Sequence, residues 1–81
     1  MRVAITERFR RSYGDAPERV RRSFDKQLAH LIRDLHHASL RAKKYDSSRG
    51  IWQARVNGGW RFYFRIAEET YVLLDIMAHP K

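Results

Sequence analysis

The chain has 81 residues, room for one domain with one modest core, and contains no cysteine, which excludes a disulfide framework and a cysteine-based zinc site. Seventeen Lys+Arg stand against nine Asp+Glu, a net charge of +8, and thirteen of the cations are arginine. Arginine's planar fork pairs bidentately with phosphate, so the bias suits a polyanion: nucleic acid first, anionic membrane second, with an acidic protein partner compatible with either. The plain alternative is a cationic surface that only maintains solubility.

Residues 1–13 carry charges throughout and lack the apolar centre of a secretion signal. No apolar run approaches the roughly 18–20 residues that span a bilayer. A soluble protein of the cytoplasm is therefore expected, and the absence of cysteine fits a reducing compartment.

Residues 1–5 alternate and are β-prone, which predicts a short strand. Thr6 is placed to cap a short helix in which Phe9 and Tyr13 share a face, with Gly14 as its stop. Asp15, followed by Pro17 and Glu18, reads as the capping box of a second helix running to about His36. Val20, Phe24, Leu28, Leu31, Ile32 and Leu35 form its apolar stripe, and Arg19, Arg22, Lys26 and Arg33 its basic face.

Residues 38–50 are irregular, with Leu40 as an anchor and "DSSRG" as a turn. Three strands follow. In residues 51–57, Trp52, Ala54 and Val56 alternate with Gln53 and Arg55; Asn57-Gly58-Gly59 then signals a hairpin. Residues 60–66 place Trp60, Phe62, Phe64 and Ile66 inward and Arg61, Tyr63 and Arg65 outward. Glu68-Glu69 makes the next turn. Residues 71–78 form the last strand, with Val72, Leu74, Ile76 and Ala78 expected inward and Tyr71, Leu73, Asp75 and Met77 outward. The order β-α-α-β-β-β predicts a single α+β domain over residues 1–81, an antiparallel sheet with a helical hairpin packed on one face.

A strand, a helical hairpin, "SLRAKKY", "IWQARVNGGWRFYFRI" and "YVLLDIMAHPK" together resemble toxins of the RelE/ParE superfamily from toxin–antitoxin modules. The resemblance spans nearly the whole chain. Its most specific part is the hairpin of Trp52, Arg55, Gly58-Gly59, Trp60, Arg61 and Phe64. In the RelE branch the implied activity is cleavage of mRNA in the ribosomal A site. The RNA's own 2′-OH is the nucleophile there, so no serine, cysteine, metal or cofactor is required. The protein must supply charge stabilisation of a pentacoordinate phosphate, a proton acceptor and a proton donor.

Carried onto this chain, the resemblance puts the phosphate-binding arginine at Arg61, a second catalytic arginine at Arg55 and a histidine acid at His79. Lys43, Lys44, Arg65, Tyr63 and Lys81 are the corresponding candidates for RNA contact, with Tyr63 able to stack on a base. Where some relatives have an aromatic residue beside the histidine this chain has Pro80, and where some have a glutamate base it reads His37-Ala38-Ser39, so the general base is unassigned. The structural alternatives are a solvated Arg61 paired with Asp75, a frayed His79, solvated Lys43 and Lys44, and core roles for Trp52 and Trp60. His36-His37 is not expected to bind metal, because adjacent histidines at a helix end point apart. His30 is expected to be structural or exposed.

The implied partners are mRNA in the ribosomal A site, ribosomal RNA and a cognate antitoxin that covers the basic face with an acidic or amphipathic segment. No membrane and no small-molecule cofactor is expected. A ParE-like gyrase inhibitor without enzymatic activity, and a degenerate relative that only binds RNA or protein, are the competing readings.

Overall fold

In the computed structural model, which describes residues 1–80, two helices cover one face of a five-stranded sheet. The chain runs β1 (Arg2–Ile5), α1 (Glu7–Asp15), α2 (Glu18–Arg33), β2 (Lys43–Asp46), β3 (Ile51–Asn57), β4 (Trp60–Ala67) and β5 (Thr70–Ala78), with 3-10 turns at Ala38–Leu40 and Ser47–Arg49. The sheet order is β1-β5-β4-β3-β2. β1 lies parallel to β5 and every other pair is antiparallel. The α+β architecture matches the sequence expectation, extended by β2, which pairs with β3 where an irregular crossing was expected.

Thr6 joins α1 to the sheet. Its hydroxyl oxygen accepts from Phe9 N at 3.1 Å, capping the helix, and its O–H faces the carbonyls of Leu73 and Leu74 at 3.0 and 3.2 Å. Two successive β5 carbonyls facing one residue mark a bulge, and there the β4–β5 register shifts, Tyr63 pairing with Asp75 and Phe64 with Leu73. The bulge corrects the expected inward set of β5. Tyr71 and Leu73 are buried before it and Ile76 after it, whereas Val72 and Leu74 are only half-buried and Ala78 is exposed.

The helix junction also differs from expectation. α1 runs through Gly14 to Asp15, so Asp15 caps nothing. The residue before a proline is pushed out of helical geometry, and Ala16, before Pro17, is extended (φ −73°, ψ 148°) and breaks the chain between the helices. The Arg21 guanidinium donates to the Ala16 carbonyl. α2 ends at Arg33, short of His36, because the Asp34 carboxylate accepts from His36 N at 2.9 Å and holds a turn.

The buried stripe of α2 is Val20, Phe24, Gln27 and Leu31; Leu28 and Leu35 are partly buried, and Ile32, expected inside, is 41% exposed. Aromatic contacts run from α1 through α2 into the sheet: Phe9 to Phe24 (5.2 Å), Phe24 to Phe62 (5.0 Å), Phe62 to Phe64 (5.7 Å) and Phe64 to Tyr71 (5.5 Å). Gln27 fits among them because its amide is fully used. Its Nε2 donates to Ser39 O (3.1 Å) and Arg55 O (2.8 Å), while its Oε1 accepts from the Ser39 hydroxyl (3.0 Å). α2 is thereby bound to the middle of β3, behind Arg55.

Thr6→Ala removes both the cap and the tie to the bulge. We expect a loss of about 1–2 kcal/mol, read as a melting temperature lower by roughly 5–10 °C; an unchanged melt would show that the bulge stands without Thr6. The β4–β5 turn carries the opposite opportunity. Glu68 (φ 49°) and Glu69 (φ 61°) are both left-handed, a geometry that suits Asn-Gly and strains glutamate. Replacing them together, Glu68→Asn with Glu69→Gly, is expected to stabilise by about 1 kcal/mol or more in urea denaturation; a fall in the midpoint would contradict the strained turn.

Candidate functional site

The outer face of the sheet, away from the helices, is polar where the inner face is aromatic. Register places Arg55 opposite Arg61, Gln53 opposite Tyr63 and Lys43 opposite Gln53, so these side chains share that face. A cleft of ≈ 310 Å³ opens there between Arg41, Lys43, Gln53, Arg55, Arg61 and His79, with Ala54 at its floor.

The β3–β4 hairpin fixes its two central arginines. Asn57 pairs with Trp60 across a two-residue loop, after a register shift that leaves Val56 as an extra residue. Neither hairpin glycine takes positive φ; instead the Asn57 side-chain oxygen accepts from Gly59 N at 2.8 Å. The loop carbonyls face the arginines. Asn57 O accepts from Arg61 Nη1 at 2.8 Å and from Arg55 Nε at 3.3 Å. Trp60 O accepts from Arg61 Nη1 at 2.9 Å. Two guanidinium groups thus meet at one carbonyl, and among the described residues no carboxylate pairs with either.

His79 belongs to the same cleft, and its backbone N donates to Gly59 O at 2.8 Å. Its main chain is therefore tied to the hairpin rather than frayed. Asp75 is not the partner of Arg61: its ion pair is with Arg8 of α1, at 3.9 Å.

The remaining candidates divide. Lys43 enters the cleft, whereas Lys44 shares the inner face with Trp52, its Nζ 5.1 Å from the ring centroid. Tyr63 stands beside the cleft and its hydroxyl accepts from Gln53 Nε2 at 3.0 Å. Arg65, two residues further along β4, is exposed and outside the cleft. Trp52 and Trp60 pack against the core. Lys81 lies outside the described residues.

Sequence reasoning missed Arg41 and Gln53. Arg41 takes left-handed backbone geometry (φ 46°) after the 3-10 turn at Ala38–Leu40, which turns the chain into β2. A left-handed arginine leaves no mark in a sequence pattern. Gln53 was visible as a polar residue on the face of Arg55, and pairing it with Lys43 required knowledge of β2.

His30 stacks on His37, with centroids 3.8 Å apart and planes at 17°. Desolvation, then the neighbouring His37, holds the pKa of His30 below the ordinary histidine range. His37 is occupied as a cap, its Nδ1 accepting from Ser39 N at 3.2 Å. No group of three or more His, Asp or Glu side chains fit to hold a metal ion occurs among the described residues.

No protein-family model matches the sequence, and a search of curated proteins returns no match. Solved structures do match in backbone arrangement. A YoeB/ParE toxin from Agrobacterium tumefaciens superposes with a TM-score of 0.82 at 14% identity, over 99% of this chain and 100% of that one. A chain of the RelBE2 toxin–antitoxin complex from Mycobacterium tuberculosis gives 0.77 at 24% identity, over 96% of each chain. One from the Escherichia coli DinJ–YafQ complex gives 0.80 at 16% identity, over 98% of this chain and 94% of that one. The backbone arrangement is therefore a known one: the chain has the fold of these RelE- and YoeB/ParE-type toxins.

Proposed function

We propose that the chain is the toxin of a type II toxin–antitoxin pair and cleaves mRNA in the ribosomal A site. The observation that carries this reading is the meeting of Arg55 and Arg61 at one carbonyl, in a cleft that also holds Lys43 and His79. Such a cleft matches the needs of a reaction whose nucleophile belongs to the substrate. The RNA 2′-oxygen attacks the adjacent phosphorus as its proton passes to water, a 2′,3′-cyclic phosphate forms, and the bond to the 5′-oxygen breaks.

Charge builds on the non-bridging oxygens as phosphorus becomes pentacoordinate. Arginines already fixed by backbone carbonyls meet that charge with little reorganisation, and they stay protonated throughout. His79 is assigned the proton delivered to the leaving 5′-oxygen, a role for which an imidazole N–H within the cleft is placed. Arg41, Lys43 and Arg65 guide the backbone, since each phosphate contact by a cation adds affinity that falls with salt.

The same charge defines the regulator. A +8 chain with Arg41, Lys43, Arg55 and Arg61 lining one cleft is matched by an acidic or amphipathic antitoxin segment laid over the outer face of the sheet. The site of action is the cytoplasm, where ribosomes and the partner are found. No described helix is long and apolar enough to cross a membrane.

Induced expression followed by primer extension tests the reading. The wild-type chain should generate new 5′ ends within translated codons. Arg61→Ala should reduce them by about 10²-fold or more, the usual loss when one transition-state donor is removed. His79→Ala should reduce them by a comparable factor. Growth arrest without such cuts, accompanied by altered DNA supercoiling, would replace the nuclease reading with a gyrase-directed one.

A further inference from the structure

Beside the arginine cleft lies a second depression of ≈ 270 Å³, formed by Tyr45, Ile51, Tyr63, Leu74, Asp75 and Met77 with the exposed Arg8 of α1 at its rim. Tyr45 occupies the register shift of β2, is 61% exposed and meets the Tyr63 ring at 4.9 Å, with the planes at 65°. An aromatic so exposed contributes little to the core and presents a face for stacking. Leu74 and Met77 add apolar lining to the same depression.

Asp75 is the anomaly. A carboxylate on a face built of Lys43, Arg55 and Arg61 repels the phosphates those residues attract. Its side chain is only 16% exposed, yet it is incompletely used: Oδ1 accepts from Ile76 N at 2.9 Å, and Oδ2 faces Arg8 Nη1 at 3.9 Å, beyond hydrogen-bond length. An acceptor-only group with spare lone pairs, next to stacking rings, is complementary to a base that presents donors.

We infer that this depression is a base pocket that selects guanine for the nucleotide adjoining the bound phosphate. Guanine alone presents two adjacent donors, N1–H and the 2-amino group, that meet both oxygens of a carboxylate. Adenine and cytosine each set a ring-nitrogen acceptor beside their amino donor, and uracil flanks its single N–H with two carbonyls, so each places a lone pair against Asp75. The spacing is suitable. Arg61 and Tyr63 are two residues apart on one face of β4, roughly 7 Å, and the Gln53–Tyr63 hydrogen bond forms the wall between cleft and pocket. The inference rests on the reading of the adjoining cleft as an RNA site.

Fluorescence anisotropy with labelled hexauridylates carrying one central guanosine, inosine or adenosine tests it, the central sugar and the one before it being 2′-deoxy to block cleavage on either side of the probe base. Guanosine should bind about tenfold more tightly than inosine, which lacks the amino group, or adenosine. Asp75→Asn should bring the three affinities to within about twofold, and Tyr45→Ala should weaken all three by roughly tenfold, since stacking is indifferent to base identity. Equal wild-type binding of the three probes would overturn the guanine pocket while leaving the RNA cleft standing. Binding of none at low salt would remove both. A lower melting temperature for Asp75→Asn with the guanosine preference intact would make Asp75 a tie to α1 through Arg8 and overturn the inference.

Discussion

The carbonyl of Asn57 accepts from two arginines, and the chemistry of the outer face depends on that shared acceptor. Both guanidinium groups contact the same oxygen, so the bonded nitrogens lie within about 6 Å of each other. Unit charges that close repel by an amount on the order of 2–3 kcal/mol at an effective dielectric near 20. Hydrogen bonds to charged donors offset part of that repulsion. The bulge at Val56 and the Asx contact of Asn57 create the arrangement by turning the loop carbonyls toward Arg55 and Arg61. A regular two-residue turn with both glycines at positive φ would aim its carbonyls differently.

The hairpin is held from behind. Gln27, buried in a helix stripe of otherwise apolar residues, grips the Arg55 carbonyl and the Ser39 backbone and hydroxyl. An amide in that position costs desolvation, which its complete hydrogen bonding offsets. In exchange it aligns α2, the turn at Ala38–Leu40 and β3 in one geometry, which aromatic packing, being tolerant of small shifts, does not define. Arg41 leaves that turn directly into the cleft. The polar network in the core and the charged cluster on the surface are two sides of the same strand.

Much of this was legible in the residues. The helical stripe of α2 and the alternation of β4 gave element type correctly, and facing too except at Ile32 and Ile66, expected inward but exposed, because each is a local periodicity reinforced over many residues. What escaped is what long-range contacts decide. β2 is a four-residue strand of mostly exposed residues that exists because β3 offers it an edge. The first half of β5 inverted, while Ile76 kept its expected facing, because Thr6, some seventy residues earlier, meets two successive carbonyls and sustains a bulge; a one-residue slip exchanges the two faces of a strand. The capping box at Asp15 failed because Pro17 imposed its own constraint on Ala16. The site divides in the same way. Arg55, Arg61, Lys43 and His79 were named through a family resemblance, whereas Arg41 and Gln53 depended on a left-handed turn and an unforeseen strand.

Clustered like charge has a consequence for both folding and binding. Cations held together without an anion destabilise the free protein, and the same repulsion is relieved when a phosphate or a carboxylate enters the cleft. Whatever binds there gains affinity from strain already present in the unbound chain, a pattern expected where local rules are broken for function. An antitoxin that supplies carboxylates to Arg55 and Arg61 would therefore stabilise the fold as it blocks the cleft, because a ligand that binds only the native state shifts the folding equilibrium toward it. On the proposed reading, stability and inhibition would be one linked quantity, and the unbound chain the less stable form.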